Sequence, residues 1–339
     1  ECPSAVDAAK MKSEFLAHYH DAHGLPLRDR IFGSIHGLSR AAAVFPALSN
    51  AFMGSAMGKS MMSRIGISGE RTLPALSGES FTEWFRKMPR KTRVTHAGKV
   101  LYFHDTWVSY YQPEIGKAAV RLLEAAGFEV ILAERRACCG RPMISKGMLK
   151  EAKRGARANA QLLARYVKDG IPVVGTEPSC ILTFRDEYPD LLPGNEAAVL
   201  LSKNSYLLDE FLFGEAGDAM SVLKWKPGRE NVLYHGHCHQ RALIGTGAPV
   251  GLLEMVGCVV TETNAGCCGM AGSFGYEGEH YDVSRAIGED RLFPAVRNAS
   301  GETIVAVSGV SCMHQIEHFT ERRVRHVAEV LADRIDEED

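Results

Sequence analysis

The chain has 339 residues, a length typical of two or three domains. Hydrophobic residues make up 45% and charged residues 24%, as in an average soluble protein. This composition excludes a disordered, a collagen-like or a coiled-coil chain. Lysine and arginine (39) nearly balance aspartate and glutamate (41), so the net charge of −2 leaves no basic excess for binding nucleic acid. Nine cysteines, an odd number, are too few for a disulfide scaffold and indicate metal or redox chemistry in a reducing, cytoplasmic compartment.

The first 95 residues predict a helical N-terminal arm. Residues Val6 to Tyr19 are typical of a short helix, which the Gly24-Leu25-Pro26 sequence ends. The longest uncharged stretch, Ala41 to Gly58, is rich in alanine and contains a proline and an asparagine, so it does not suit a membrane span of about 20 apolar residues. We expect this stretch to pack on a partner domain, and we expect neither a signal peptide nor a transmembrane segment.

The remainder of the chain repeats itself. Four anchors recur in the same order at offsets of 129 to 132 residues: Val100-Leu101-Tyr102 and Val232-Leu233-Tyr234, Leu122–Gly127 and Leu252–Gly257, Cys138-Cys139-Gly140 and Cys267-Cys268-Gly269, and Ser179-Cys180 and Ser311-Cys312. This regularity predicts a tandem duplication, with a first repeat over residues 96–225 and a second over residues 226–335.

Each copy alternates short apolar runs with helical segments. Strands are predicted at Lys99–Phe103, Phe128–Leu132 and Pro172–Gly175 in the first copy, and at Asn231–Tyr234, Cys258–Thr261 and Thr303–Val307 in the second. The βαβαβ pattern predicts an α/β fold of two tandem Rossmann-like units, each with a parallel sheet, related by pseudo-two-fold symmetry. The carboxyl ends of parallel strands share one edge of the sheet, where ligands bind.

Four cysteines of the second copy follow these predicted strands. Cys238 comes after the first strand, Cys267 and Cys268 after the second, and Cys312 after the third, so we expect their sulfur atoms to converge. Convergent thiolates suit iron–sulfur clusters or zinc, and adjacent cysteines suit a multi-iron cluster better than a single tetrahedral zinc. Burial as small hydrophobic side chains and a disulfide between Cys267 and Cys268 remain alternatives, whereas Cys258, inside a strand, is expected in the core.

The first copy has only three of these cysteines. Cys138, Cys139 and Cys180 are present, but the counterpart of Cys238 is Thr106. Either Asp105 or His104 completes this site, or the site has lost its cluster, and we expect the second site to be the better occupied.

Histidines surround the cysteines of the second copy, namely His235, His237 and His239 near Cys238, and His314 and His318 after Cys312. We predict that His239 and His314 donate hydrogen bonds to cluster sulfur, and that Arg141 either neutralises a negative cluster or pairs at the surface.

Several common enzyme motifs are missing from the sequence. No Gly-x-Gly-x-x-Gly follows a first strand, there is no Walker motif, and Ser273 lies outside a Gly-x-Ser-x-Gly elbow. Nicotinamide binding, nucleotide binding and serine hydrolysis are therefore not expected, and no catalytic residue is assigned.

The two Cys-Cys-Gly loops, each followed by a strand and another cysteine, resemble the cysteine-rich CCG domain found in heterodisulfide reductase and in the iron–sulfur component of glycolate oxidase. The resemblance covers about residues 97–330. The sequences of residues 104–114, 138–142 and 177–180 are most similar to the C-terminal part of FAD-linked oxidases of the D-2-hydroxyglutarate and D-lactate dehydrogenase type.

The resemblance implies iron–sulfur centres, four-iron (4Fe-4S) clusters in some members of the family. The ligands would be Cys238, Cys267, Cys268 and Cys312 for one centre, and Cys138, Cys139 and Cys180 for the other. Thr106 departs from the five-cysteine pattern of the family, and neither Cys180 nor Cys312 has a cysteine three residues later.

The chain begins with Cys2-Pro3, which resembles the end of the C-x2-C-x2-C-x3-C-P run of ferredoxin-type clusters. Together with the helix over residues 6–15, this implies a C-terminal fragment whose partners are the FAD and ferredoxin-type domains of the same polypeptide. The expected function is an iron–sulfur electron-transfer module of a flavin-dependent 2-hydroxyacid dehydrogenase, cytoplasmic or peripheral to the inner membrane. It would pass electrons from flavin to a quinone or another carrier, and the chain alone is expected to be inactive on hydroxyacids.

Two other functions remain open. A structural or docking module would hold zinc through Cys238, Cys312, one of the adjacent cysteines and a histidine such as His239. Thiol–disulfide chemistry at a cluster, as in heterodisulfide reductase, is the third possibility.

Overall fold

The computed structural model describes residues 6–89, 97–133, 135–221 and 223–336. Cys2, and with it the resemblance to a ferredoxin motif, lies outside these residues. No helix in the described part of the chain is both long and apolar enough to cross a membrane.

The N-terminal arm is helical, as predicted. Its helices are α1 (Ala8–His23), α2 (Leu27–Gly33), α3 (Ile35–Ala42), α4 (Pro46–Gly54), α5 (Ala56–Arg64) and α6 (Phe81–Lys87). Asp7 caps α1 by accepting hydrogen bonds from the backbone N–H groups of Ala9 and Lys10, and Ser80 and Glu83 form a capping box on α6.

The first repeat contains four strands: β1 (Gly98–Tyr102), β2 (Phe128–Leu132), β3 (Val173–Gly175) and β4 (Ser205–Leu207). Its helices are α7 (Thr106–Tyr110), α8 (Pro113–Ala125), α9 (Arg141–Ser145), α10 (Leu149–Lys168), α11 (Pro178–Arg185), α12 (Glu187–Leu191), α13 (Glu196–Lys203), α14 (Leu208–Phe213) and α15 (Gly217–Ser221). The arm lies over this repeat: α1 and α2 pack on α9, and α6 packs on α7 and α8.

The second repeat has the same plan. Its strands are β5 (Asn231–His235), β6 (Val259–Glu262), β7 (Ile304–Val307) and β8 (Val324–His326). Its helices are α16 (Cys238–Leu243), α17 (Gly247–Met255), α18 (Tyr281–Asp290), α19 (Leu292–Asn298), α20 (Val310–Thr320) and α21 (Val327–Asp333), with short 3-10 turns at Phe274–Tyr276 and Gly278–His280.

Both sheets are parallel throughout and have equivalent strand orders, β2-β1-β3-β4 and β6-β5-β7-β8. The α/β class and the tandem Rossmann-like repeats are confirmed. The fourth strand of each sheet was not predicted. Strands β4 and β8 are only three residues long, which is too short to show an alternation of apolar and polar residues.

The two repeats exchange helices across their interface. Helix α14 of the first repeat packs on α17 of the second, and α21 of the second packs on α8 of the first. Since α14 and α21 occupy equivalent places after the fourth strands, this packing is reciprocal, as a pseudo-two-fold relation requires. One continuous hydrophobic core therefore includes Leu122, Leu212, Leu252 and Leu331 from both repeats. The boundaries at residues 96, 226 and 335 stay predictions.

Candidate metal centres

The cysteine loops leave the carboxyl edges of the two sheets. In the second repeat, α16 begins at Cys238 directly after β5, the loop after β6 carries Cys267 and Cys268, and α20 after β7 carries Cys312. In the first repeat, the loop after β2 carries Cys138 and Cys139, and α11 after β3 carries Cys180.

In the second repeat, the four sulfur atoms form a continuous series. Cys267 hydrogen bonds to Cys238 and Cys268, and Cys268 hydrogen bonds to Cys312. Cys268 and Cys312 are buried, whereas Cys238 is exposed, so the series runs from the surface into the protein. Gly269 supports the loop at φ 92°, and a side chain there would collide with the backbone of Ser284. We call these four residues the second cysteine set.

The protonation of these sulfur atoms is coupled. Hydrogen bonds from Cys238 and Cys268 lower the pKa of Cys267, and the contact with Cys267 raises the pKa of Cys238. Hydrogen bonding to Cys267 and Cys312, together with burial, raises the pKa of Cys268. Because one thiolate opposes the ionisation of the next, all four can be deprotonated together only when a cation compensates their charge.

The first cysteine set consists of Cys138, Cys139 and Cys180. The Cys139 thiol donates to the Cys180 sulfur at 3.0 Å, and Cys138 hydrogen bonds to Cys139. Asn159 anchors the loop by accepting from the Ala137 N–H (2.8 Å) and donating to the Cys138 carbonyl (3.0 Å). Burial contributes to raising the pKa of all three thiols, so this set also needs a cation before it can ionise.

Three polar residues stand where the resemblance would place further cysteines. Thr106 lies with its Oγ1 3.0 Å from His36 Nδ1, and Thr183 donates to the Ser179 carbonyl at 2.7 Å. Gln315 is fully buried, accepts from Arg71 at 2.7 Å and donates to Ser284 at 3.1 Å. Each of these side chains already has a hydrogen-bond partner, so each has a structural role in place of a thiolate.

Comparison with known proteins agrees with this geometry. A model of the cysteine-rich domain, CCG, matches residues 100–185. Lactate utilization protein A of Bacillus licheniformis is 31% identical over 253 residues, which cover 70% of this chain and 100% of that protein. This chain belongs to the CCG cysteine-rich domain family.

Two further relatives of this CCG chain are dehydrogenases by name. One component of the anaerobic glycerol-3-phosphate dehydrogenase of Escherichia coli is 32% identical over 268 residues, 78% of this chain and 66% of that component. D-2-hydroxyglutarate dehydrogenase of Escherichia coli is 28% identical over 348 residues, 98% of this chain and 33% of that enzyme. The CCG chain thus spans about two thirds of the first relative and one third of the second.

The histidine beside a sulfur atom is His235, which was not among the predicted hydrogen-bond donors. It is fully buried at the end of β5, its Nδ1 lies 2.8 Å from Thr263 Oγ1, and its Nε2 has no hydrogen-bond partner within the described residues. Its imidazole lies next to Cys312 and, after the hydrogen bond from Cys268, contributes to lowering the pKa of that thiol. The sequence feature that could have indicated His235 is its position at the carboxyl end of the central strand.

The side chains of the two predicted donors, His239 and His314, have other neighbours. His314 Nδ1 lies 3.2 Å from the Tyr276 hydroxyl, and its ring packs edge-on against Trp107 at 5.3 Å. The His239 imidazole faces Asp186 and Glu187 of the first repeat, although its backbone N–H hydrogen bonds to Cys238. Their role as donors to cluster sulfur stays a prediction.

Arg71, from the N-terminal arm, is buried beside the second cysteine set. It donates to Gln315, and its guanidinium lies 5.2–5.7 Å from the ring centroids of Tyr276, Tyr281 and Phe319. Within the described residues, Arg71 has no ion pair with a carboxylate, and the charge of Cys268 acts on it. A buried cation without a carboxylate fits beside a negatively charged metal centre.

The two cysteine sets adjoin one another. Ser179 Oγ, next to Cys180, lies 3.4 Å from His237 Nε2, next to Cys238. The Arg141 guanidinium pairs with Glu187 and interacts with the charges of both Cys139 and Cys238. Arg141 is therefore placed between the sets, and its predicted role toward a cluster remains untested.

Two carboxylate clusters, Asp186 with Glu187 and Glu277 with Glu279, are already paired with cations. Lys10 contacts Asp186 at 2.9 Å and Arg141 contacts Glu187, while Lys146 and Arg28 contact Glu277. These carboxylate clusters lack the spare negative charge that a hard cation would require.

Proposed function

We propose that the two cysteine sets hold iron–sulfur centres and that the chain carries electrons between a flavin-dependent dehydrogenase and an acceptor such as a quinone. The observation that supports this most directly is the continuous series Cys238, Cys267, Cys268 and Cys312, which runs from solvent into the core. A bound cluster would supply one-electron redox chemistry.

The residues of the chain have separate parts in this function. Cys238, Cys267, Cys268 and Cys312 would be ligands of the second centre, and Cys138, Cys139 and Cys180 of the first. Burial of the inner sulfur atoms excludes water, and Arg71 and Arg141 offset negative charge. The contact between Ser179 and His237 keeps the centres close, which suits electron transfer between them.

The partners belong to the same proposal. The relative named D-2-hydroxyglutarate dehydrogenase supports a partner that oxidises a 2-hydroxyacid. In this proposal the partner bears the flavin and passes electrons to this chain. Since no flavin-binding motif is recognisable in the 339 residues, we expect no oxidation of D-lactate or D-2-hydroxyglutarate by the chain alone in a dye-reduction assay. Reduction of the dye by either substrate would place a catalytic site within the repeats.

Metal analysis after anaerobic purification tests the proposal. We expect iron and acid-labile sulfide, sulfur-to-iron absorption in the visible range, and an EPR signal that changes when dithionite is added. One zinc per chain without visible absorption would instead support the docking-module alternative. The His239 imidazole faces Asp186 and Glu187, a placement that does not favour its use in a zinc site with Cys238.

A further inference from the structure

The first cysteine set is one sulfur short of the second. Cys138, Cys139 and Cys180 are its sulfur residues, and Thr106 occupies the place that corresponds to Cys238. The Thr106 hydroxyl is engaged by His36 at 3.0 Å. A fourth protein ligand for this site would therefore come from another side chain.

Asp105 has a carboxylate oxygen available. It is 1% exposed and begins α7, where its Oδ1 accepts from the backbone N–H groups of Trp107 (2.7 Å) and Val108 (3.2 Å). Its Oδ2 is buried and has no hydrogen-bond partner in the described residues. The charge of Arg136 acts on Asp105, but no ion pair in the described residues joins the two side chains. Buried carboxylate oxygens are rarely left without a hydrogen-bond partner, so this oxygen indicates a missing partner.

The topology places this carboxylate near the first cysteine set. Asp105 follows β1 and Cys180 follows β3, and these two strands pair in parallel through Leu101 with Val173 and Tyr102 with Val174. Both residues thus leave neighbouring strands at the same edge of the sheet, and the charge of Asp105 acts on the Cys180 sulfur.

From this arrangement, and resting on the proposed function, we propose that Asp105 Oδ2 is the fourth protein ligand of the first metal centre. The site would then offer three thiolates and one carboxylate to a cluster in which one iron atom has an oxygen ligand.

The neighbouring side chains are less suited to this role. His104 packs against Phe81 with ring centroids 5.8 Å apart, and its Nδ1 lies 2.9 Å from Ser109 Oγ. Both oxygens of Glu177 are engaged by backbone N–H groups, those of Ser179 (3.3 Å) and Val310 (3.0 Å).

In the second copy, two residues share the two roles that we assign to Asp105, which are capping a helix and supplying a ligand atom. His237, at the position equivalent to Asp105, caps α16 through Nδ1, which accepts from the His239 N–H at 3.2 Å. Its neighbour Cys238 supplies the sulfur. In the first copy, one oxygen of Asp105 caps the helix and the other oxygen has no hydrogen-bond partner in the described residues.

Asp105→Asn is the main test, because it keeps the shape and an oxygen that can cap α7. After anaerobic reconstitution of the full chain, we expect the Asp105→Asn variant to hold as little iron as Cys139→Ser. The double variant, Asp105→Asn with Cys139→Ser, should lose no further iron. Combined with Cys268→Ser, the losses should add, because the two changes affect different centres. Asp209→Asn, a buried aspartate at the start of α14, is the matched control and should retain all iron.

Asp105→Cys distinguishes a ligand from a structural residue. A thiolate at this position should restore iron and, in a Mössbauer spectrum, should remove the iron site with an oxygen ligand that the unchanged chain shows. Full iron and an unchanged spectrum in Asp105→Asn would overturn the inference and leave the proposed function standing. Iron loss in Asp105→Asn that Asp105→Cys does not restore would also overturn the inference. So would a Cys139→Ser variant that holds as much iron as the unchanged chain. Absence of iron from the unchanged chain would instead refute the proposed function, and the inference with it.

Discussion

At the scale of single residues, the surroundings of the sulfur atoms are set by side chains from distant parts of the sequence. Arg71 comes from the arm, His235 ends β5, and Cys312 lies on α20, the helix that follows the neighbouring strand β7. Positive charge and hydrogen-bond donors next to a cluster stabilise its reduced form, so these residues are expected to tune its potential.

Removing the charge of Arg71 tests this role. In Arg71→Gln, the midpoint potential of the second centre should fall by about 40 mV, because the loss of a charge interaction of about 1 kcal/mol corresponds to that shift for one electron. An EPR-monitored redox titration measures it. Arg71→Lys should retain most of the potential, and exposed Arg154→Gln should leave it unchanged; a similar fall in all three variants would contradict the assignment.

Asp209 gives a second residue-scale prediction, on pH and stability. Burial, with a smaller contribution from Glu210, raises the pKa of Asp209 to about 6, although its Oδ2 accepts from Gln240 Nε2 at 2.9 Å. A raised pKa means that this group's contribution to stability is complete below about pH 4 and is lost as the pH rises to about 6. Across that interval, the free energy of unfolding should decrease by about 3 kcal/mol in the metal-free chain.

Asp209→Asn should remove this part of the pH dependence. Urea unfolding of the metal-free variant and unchanged chain between pH 4 and pH 8 gives the difference, and exposed Asp282→Asn is the control. Parallel pH curves for Asp209→Asn and the unchanged chain would show that Asp209 ionises in the folded protein as it does in the unfolded one.

At the scale of elements, the exchanged helices α14 and α21 join the repeats into one folding unit. Leu331 on α21 is 1% exposed and belongs to the shared core. Its helix covers α8 of the other repeat. Each repeat therefore contributes a helix that covers a helix of the other repeat, α21 on α8 and α14 on α17.

Leu331→Ala should therefore destabilise both repeats together. We expect a loss of about 2–5 kcal/mol in the free energy of unfolding, the range for a buried leucine. Urea titrations followed by circular dichroism and by tryptophan fluorescence should coincide in one transition. Exposed Leu48→Ala should change stability by less than about 0.5 kcal/mol. Two separate transitions, with only one shifted, would show that the repeats unfold independently.

At the scale of the whole molecule, buried charges connect the arm to both repeats. Lys146, in the loop after α9, contacts Asp29 of α2 at 3.0 Å and also contacts Glu277 of the second repeat. Arg28 of the arm contacts Glu277 at 3.4 Å and Glu279 at 2.6 Å. The apolar side chains of Val44, Phe45, Leu48 and Met57 in the arm remain exposed, as expected for a surface that a partner covers.

Lys146→Met should leave the buried Glu277 carboxylate without its principal cation. We expect a loss of about 3–5 kcal/mol, since breaking a buried ion pair strands the remaining charge. Chemical unfolding measures it, and Lys150→Met, which removes an exposed lysine paired with Asp21, should have a much smaller effect because solvent screens that pair. Equal effects of the two variants would mean that the arm is held by apolar packing alone.

The sequence by itself determined the duplicated α/β fold, because apolar strands, helix-ending glycines and the repeat offset are local signals. It also led to the expectation that the cysteine loops share one edge of each sheet, since parallel topology leaves little choice. Only the tertiary structure decided that His235 lies against Cys312 and that Arg71 of the arm lies near Cys268. It also decided that one carboxylate oxygen of Asp105 has no hydrogen-bond partner in the described residues, whereas Nδ1 of His104 contacts the Ser109 hydroxyl. It likewise decided the exchange of α14 and α21. Burial and the direction of a side chain depend on elements that are distant in sequence, and spacing along the chain carries no record of them.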